Sequence, residues 1–199
     1  MKNLMRNHPT THPTPKRLVV GISGASGAIL GIRLLEILKT KDIETHLVVS
    51  PAAQTTITQE TDWKVSDVLA LANVTYNFLD TGAVIASGSY ATVGMVVIPC
   101  SVKTLSAIAN SYSDDLISRA ADVTLKEGRP LVLVFRETPL HRGHIRLMGL
   151  AAKAGAVIFP PEPAFYTRPQ SIDDMVSQIA GRVLARLGIE NEAYTPWQG

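Results

Sequence analysis

Apolar residues fall along this chain in short unbroken runs, and between the runs they recur at helical spacing. Leu18-Val19-Val20, the end of Glu44 to Val49, Met95-Val96-Val97-Ile98, Pro130 to Phe135 and Ala156 to Phe159 are of strand length. Continuous apolar runs of this kind predict strands covered on both faces. After the first run, Ile29, Ile32, Leu34, Leu35, Ile37 and Leu38 line one side of a predicted helix. Pro51 suits a first helical turn and predicts a helix to about Gln59. Ser66-Asp67 predicts a cap for a short helix over Val68 to Ala72. Further helices are predicted after Ser101, from Asp114-Asp115 to Leu125, from Pro139 to about Lys153, and from Ser171 to about Leu187. Asn73 to Tyr90 reads as a less regular stretch that contains a second Gly/Ser loop, Ala86-Ser87-Gly88-Ser89, with no strand assigned to it. Strands alternating with helices imply an α/β fold with a mostly parallel sheet and helices on both faces.

That architecture decides which polar residues matter. In such sheets, ligands bind beyond the carboxyl ends of the strands. Ser23 to Ser26, Ser50, Cys100 to Thr104 and Arg136-Glu137 each follow an apolar run directly, so four strand ends converge on one crevice. The turn Gly21-Ile22-Ser23-Gly24-Ala25-Ser26-Gly27 departs from a GxGxxG fingerprint but offers two hydroxyls and a helix N-terminus. It reads either as a phosphate seat or as a tight turn without a ligand. Ser101, Lys103 and Thr104 open a second helix, as an anion seat or as a cap beside a surface lysine. Arg136 suits a bidentate grip on phosphate. Glu137 beside a phosphate could carry a proton; otherwise the two form a surface ion pair. Cys100 reads as a small buried residue, and His141 and His144 as solvent-facing side chains without the partners a metal site needs.

Composition narrows the class. With 46% apolar and 18% charged residues, the chain of 199 is globular and long enough for one domain with its own core. The net charge of +2 is concentrated in residues 1–16, where Lys2, Arg6 and Lys16 face no acid. The remainder holds 16 basic against 17 acidic residues, which argues against a nucleic-acid surface. No run approaches the roughly 18–20 apolar residues of a membrane span. A lone cysteine excludes an internal disulfide and fits a reducing, cytoplasmic setting. Residues 1–16, rich in Pro, Thr and His, read as a disordered extension before a single domain over 17–199.

Taken together, GISGASGA at 21–28, ETHLVVS at 44–50, SGS at 87–89, IPCSVKTLSAI at 98–108, RAADVTLKE at 119–127, LVLVFRETPL at 131–140, PAFYTRPQS at 163–171 and the terminal WQG resemble the UbiX-type flavin prenyltransferases. The resemblance covers the chain from Arg17 to its end. It implies a flavodoxin-like, Rossmann-like three-layer sandwich assembled as a homododecamer. It implies an enzyme that joins a dimethylallyl group from dimethylallyl monophosphate to N5 and C6 of reduced FMN, without a metal. The product, prenylated FMN, would pass to a UbiD-type decarboxylase. By position, Gly24, Ala25, Ser26, Ser50, Ser101, Val102, Lys103, Thr104 and Arg136 would meet the flavin. Ser87, Gly88, Ser89, Lys126, Arg136, Glu137, Tyr166 and Arg182 would line the prenyl-phosphate site. Glu137 would protonate the leaving phosphate, Trp197 would stabilise the allyl cation, and Ser26 with Glu60 would relay the proton lost from flavin C6. Rival readings are an FMN-dependent cysteine decarboxylase, whose PASANT-like and PxMNxxMW-like segments are not found here, a non-catalytic FMN carrier, and a direct aromatic-acid decarboxylase.

Overall fold

A computed structural model describes residues 16–199. The expected extension over 1–16 therefore lies, apart from Lys16, outside the described residues. Six strands form one sheet: β1 (Arg17–Ile22), β2 (Glu44–Val49), β3 (Val74–Tyr76), β4 (Gly94–Cys100), β5 (Leu131–Phe135) and β6 (Val157–Ile158). Their order is β3-β2-β1-β4-β5-β6, and every pair is parallel. The helices are α1 (Ala28–Leu38), α2 (Pro51–Glu60), α3 (Val65–Leu69), α4 (Val102–Ala109), α5 (Leu116–Lys126), α6 (Arg142–Lys153) and α7 (Ile172–Arg186).

The continuous apolar runs resolve into two cores because successive strand side chains point to opposite faces. Leu18, Val20, Ile22, Leu47, Val49, Val96, Ile98, Val132 and Val134 turn toward α1, α2 and α7, where they meet Leu34, Leu35, Ile57, Val183 and Leu184. Val19, Val48, Met95, Val97, Leu131, Leu133 and Phe135 turn toward α4, α5 and α6, against Leu105, Ile108, Leu116, Ile117 and Ala151. The result is the flavodoxin-like three-layer sandwich. The chain leaves β1 toward β2 and β3 and returns to β4 on the other side of β1. That reversal opens a crevice at the carboxyl ends of β1 and β4.

Local chemistry sets the element ends. Ser50 caps α2 ahead of Pro51 by accepting from the Ala53 N–H, and Asp115 and Ser171 form capping boxes with Ser118 and Asp174. Four expectations need correction. The short helix runs Val65–Leu69 from Lys64, with Ser66 and Asp67 inside its first turn. Val68 is buried, with Val65 and Leu69 packed on the same core, and that face fixes the helix start. The helix expected from Pro139 starts at Arg142, where the His141 ring accepts the Gly143 N–H. The last strand narrows to Val157–Ile158. Asn73 to Tyr90 contains β3, a three-residue edge strand anchored where the Asn73 side chain accepts from the Thr45 N–H and hydroxyl.

Candidate functional site

The loops after β1, β2, β4 and β5 enclose a cleft of about 560 Å³ lined by Gly24, Ala25, Ser26, Ser50, Pro51, Ala52, Phe78, Ser101 to Thr104, Arg136 and Glu137. Ser23 ties two of these loops together. Its hydroxyl donates to the Pro99 carbonyl at 2.9 Å and accepts from the Ser101 N–H at 2.8 Å. Ser23 is buried, so it fixes the walls and does not face the cleft. Gly24 packs where a Cβ would come within 2.3 Å of the Ala52 Cβ, so only glycine lets the first turn settle on the start of α2. Ser101 caps α4, accepting from Thr104 N and donating to its hydroxyl.

The charges have definite places. Glu60, at the end of α2, reaches the start of α1 and accepts from the Gly27 N–H at 2.8 Å and the Ala28 N–H at 3.3 Å. The α1 N-terminus, one of the two readings of the glycine turn, thus holds a carboxylate of the protein itself. The N-termini of α2 and α4 open onto the cleft through Ser50 to Ala52 and Ser101 to Thr104. Lys103 lines the cleft, but its ammonium bonds Asp115 at 2.5 Å and lies 5.5 Å from the Phe78 ring centre. Partial burial opposes the Lys103 charge, but the bond and charge of Asp115, with Asp114 behind it, prevail and raise its pKa above the ordinary lysine value. None of the ion pairs among the described residues involves Arg136. Glu137 accepts from the Thr138 N–H at 2.9 Å. Cys100 is buried, and burial pushes its thiol pKa far up, as befits a packing residue.

Two other groups of expected site residues lie elsewhere on the chain. Ser87, Gly88 and Ser89 precede β4, and Lys126 ends α5 just before β5, so both sit at the amino ends of those strands. At about 3.3 Å per residue the length of β4 puts them roughly 20 Å from the cleft. The Ser87 and Ser89 hydroxyls bond each other at 2.9 Å, and Lys126 pairs with Glu127. The third group is on the C-terminal segment. Tyr166 donates to the Thr195 carbonyl at 2.8 Å and packs edge-on against Trp197, with ring centres 5.4 Å apart. Arg182 lies 6.0 Å from the Phe159 ring centre. Trp197 is 67% exposed and does not line the cleft of its own chain.

Sequence reasoning missed Phe78, Pro51 and Ala52 as lining residues. Phe78 follows β3 as the other lining residues follow their strands, a signal hidden by the shortness of β3. Among the described residues no group of three or more His, Cys, Asp or Glu could hold a metal, and no helix is long and apolar enough to cross a membrane. His141 is exposed, as expected, whereas His144 is half-buried; their tilted rings lie with centres 3.7 Å apart, and His144 Nδ1 is buried without a partner among the described residues.

A parallel sheet with a cleft at its switch point, walled by Gly/Ser turns, helix N-termini and an arginine, is the arrangement in which doubly wound α/β proteins bind their ligands. A family model described as Flavoprotein matches residues 6–184. The flavin prenyltransferase UbiX of Escherichia coli K12 is 59% identical over 187 residues, 92% of this chain and 99% of its own. A solved AnUbiX (PadA1) in complex with FMN and dimethylallyl pyrophosphate superposes with a TM-score of 0.92 at 49% identity, covering 94% of this chain and 99% of that one. A solved chain described as a dodecameric FMN-dependent UbiX-like decarboxylase from Escherichia coli O157:H7 gives 0.89 at 49% identity, over 92% and 100%. The chain belongs to the flavoprotein family and, within it, to the flavin prenyltransferases of the UbiX type.

Proposed function

We propose that this chain transfers a dimethylallyl group from dimethylallyl monophosphate to N5 and C6 of reduced FMN, yielding prenylated FMN for a UbiD-type decarboxylase. The observation that carries the reading is the cleft: four strand ends deliver two helix N-termini, an uncompensated arginine and a glutamate to one crevice. The cleft volume falls within the roughly 300–1,000 Å³ usual for cofactor-sized ligands. The absent Cβ at Gly24 leaves the turn its close seat against α2, as a flat ring system along that wall requires.

Bound reduced FMN supplies the nucleophilic nitrogen and carbon. Gly24, Ala25 and Ser26 form one wall for it, and Ser50 with Ser101 to Thr104 offer hydroxyls and N–H groups to its phosphate. Arg136, without an acidic partner, offsets phosphate charge. Glu137, adjacent to Arg136 and exposed, is placed to give a proton to a departing phosphate. The Glu60 carboxylate sits one residue beyond Ser26, so the pair can pass a proton from the cleft to solvent. Ser87, Gly88, Ser89 and Lys126 hold the prenyl phosphate, and Tyr166, Arg182 and Trp197 close the site. Because Ser87, Gly88, Ser89 and Lys126 lie at the amino ends of the strands, away from the cleft of their own chain, the complete site takes residues from neighbouring copies, in a homododecamer. The lone buried Cys100 supports a reducing, cytoplasmic location.

The test is anaerobic: protein, reduced FMN and dimethylallyl monophosphate, without metal, followed by the mass of the extracted flavin. A flavin heavier by one C5 unit that activates an apo UbiD-type decarboxylase is the expected result. Unmodified FMN from a folded, assembled protein would convert the reading to an FMN carrier.

A further inference from the structure

We propose that Arg129 is the positioning residue of the prenyl-phosphate loop, a role that rests on reading Ser87-Gly88-Ser89 with Lys126 as the phosphate seat. The loop's own backbone bonds, from the Ser87 N–H to the Val84 carbonyl at 3.0 Å and from the Tyr90 N–H to the Ser87 carbonyl at 3.2 Å, leave the Gly88 and Tyr90 carbonyls to be held from outside. Ser87 and Ser89 are exposed, and their one mutual bond joins two flexible hydroxyls. Arg129 supplies the missing frame. One guanidinium nitrogen donates to the Gly88 carbonyl at 2.7 Å, and another donates to the Tyr90 carbonyl at 2.9 Å and reaches the Thr92 hydroxyl at 3.5 Å. Carbonyls two residues apart are thereby fixed to one rigid planar group. A lysine, with a compact ammonium on a flexible stem, cannot span them in that way.

The frame is anchored at both ends. The Arg129 backbone N–H donates to the Thr124 carbonyl at 2.9 Å, fastening the arginine to the last turn of α5, which also carries Lys126. On the other side, the Tyr90 hydroxyl lies 3.4 Å from Nε2 of buried His46, and Arg17 stands 4.6 Å over the Tyr90 ring. The clearance at Gly88 shows how closely the parts fit. A Cβ there would lie 2.1 Å from Glu127 Oε1 and 2.7 Å from Lys126 Nζ. The loop backbone is thus pressed against the Lys126–Glu127 ion pair, whose ammonium the phosphate would meet, and Arg129 holds it there. All three acceptors of Arg129 are neutral, and its charge acts with Lys126 against the neighbouring Glu127 carboxylate.

The experiment compares full-length, assembled variants in anaerobic steady-state kinetics, together with flavin binding by fluorescence titration. For Arg129→Gln, the KM for dimethylallyl monophosphate should rise about tenfold, the scale of lost charge-assisted hydrogen bonds. The flavin Kd should stay within about twofold, because Arg129 bonds Gly88, Tyr90, Thr92 and Thr124 and none of the residues that line the cleft. Arg129→Lys should fall between wild type and Arg129→Gln, and it serves alone should Arg129→Gln fail to fold. A parallel Ser87→Ala/Ser89→Ala variant tests the underlying reading. If the double serine variant raises the KM and neither Arg129 variant does, the positioning role is overturned and the seat stands. If none of the three moves the KM, the seat reading falls and the proposal with it. If the Arg129 variants weaken flavin binding and prenyl-donor binding alike, Arg129 is a general structural residue and the proposal is overturned.

Discussion

The cleft at the carboxyl ends of the strands and the loop cluster at their amino ends are built in opposite ways. At the cleft, buried Ser23 locks neighbouring loops together, Ser50 and Ser101 cap helices, and Gly24 sits in van der Waals contact with α2. At the other end, Ser87, Ser89 and Lys126 stand exposed, tied only to nearby partners. On the proposed function, a single chain carries a finished flavin seat and an unfinished prenyl-phosphate seat, and the difference separates what the sheet topology supplies from what assembly would supply.

The largest effect should come from the cleft residue placed to move a proton. Glu137→Gln should lower the rate of prenylated-flavin formation about a hundredfold or more, the usual scale for a general acid. Flavin binding should change little, since Glu137 closes one edge of the cleft only. A near-normal rate would remove Glu137 from the chemistry. A mixing experiment attacks the comparison itself. Arg136→Ala and Lys126→Ala chains should each be poorly active alone, and co-assembly should restore part of the activity, because some sites then draw an intact cleft from one chain and an intact Lys126 from another. Absence of restoration in verified mixed oligomers would mean that each site is served by one chain.

A smaller effect belongs to the packing of the finished seat. Gly24→Ala puts a methyl 2.3 Å from the Ala52 Cβ, so the turn or α2 must shift. Overpacking of this kind costs about 1–3 kcal/mol. The expected result is a lower thermal midpoint and weaker flavin binding together. Weaker binding at unchanged stability would show that the strain is absorbed locally within the cleft wall.

The same contrast explains what could be read from sequence. The sheet and the cleft were legible because buried parallel strands are apolar without interruption and their ligand loops begin where the run stops. Gly24, Ser50, Ser101 and Arg136 all announce themselves in this way. Glu60 at the α1 N-terminus was not legible as a cap, since its partners lie 33 and 32 residues away and the contact depends on how α2 crosses α1. Phe78 and β3 were hidden because three paired residues at a sheet edge carry too little periodicity. The pairing of Lys103 with Asp115 joins two helix starts that only the folded sheet brings together. Ser87 to Ser89, Lys126, Tyr166, Arg182 and Trp197 do not directly follow a strand, so only likeness to a family marks them; on the proposed function, the geometry that explains them belongs to more than one chain.

The smallest expected effect concerns the ground beneath the amino-end loop. His46 is buried beside β1 and β3, with Nδ1 at 2.8 Å from the Tyr76 hydroxyl and Nε2 at 3.0 Å from Glu44 Oε1. Burial lowers its pKa below the ordinary 6.5; the Glu44 charge and bond oppose the shift without cancelling it, and Arg17 adds to it. A histidine whose folded pKa is depressed takes up protons more readily in the unfolded chain. Its contribution is therefore intact above about pH 6.5 and declines as the pH falls below that value toward the folded pKa. The urea midpoint should accordingly drop between pH 7.5 and pH 5.5, and His46→Gln should flatten that segment of the profile. The flavin Kd should not follow the same titration, because His46 touches the Tyr90 side of the molecule and none of the cleft loops. A flavin affinity that tracked His46 would mean that the two ends of the sheet are coupled, and the division between a finished and an unfinished seat would have to be abandoned.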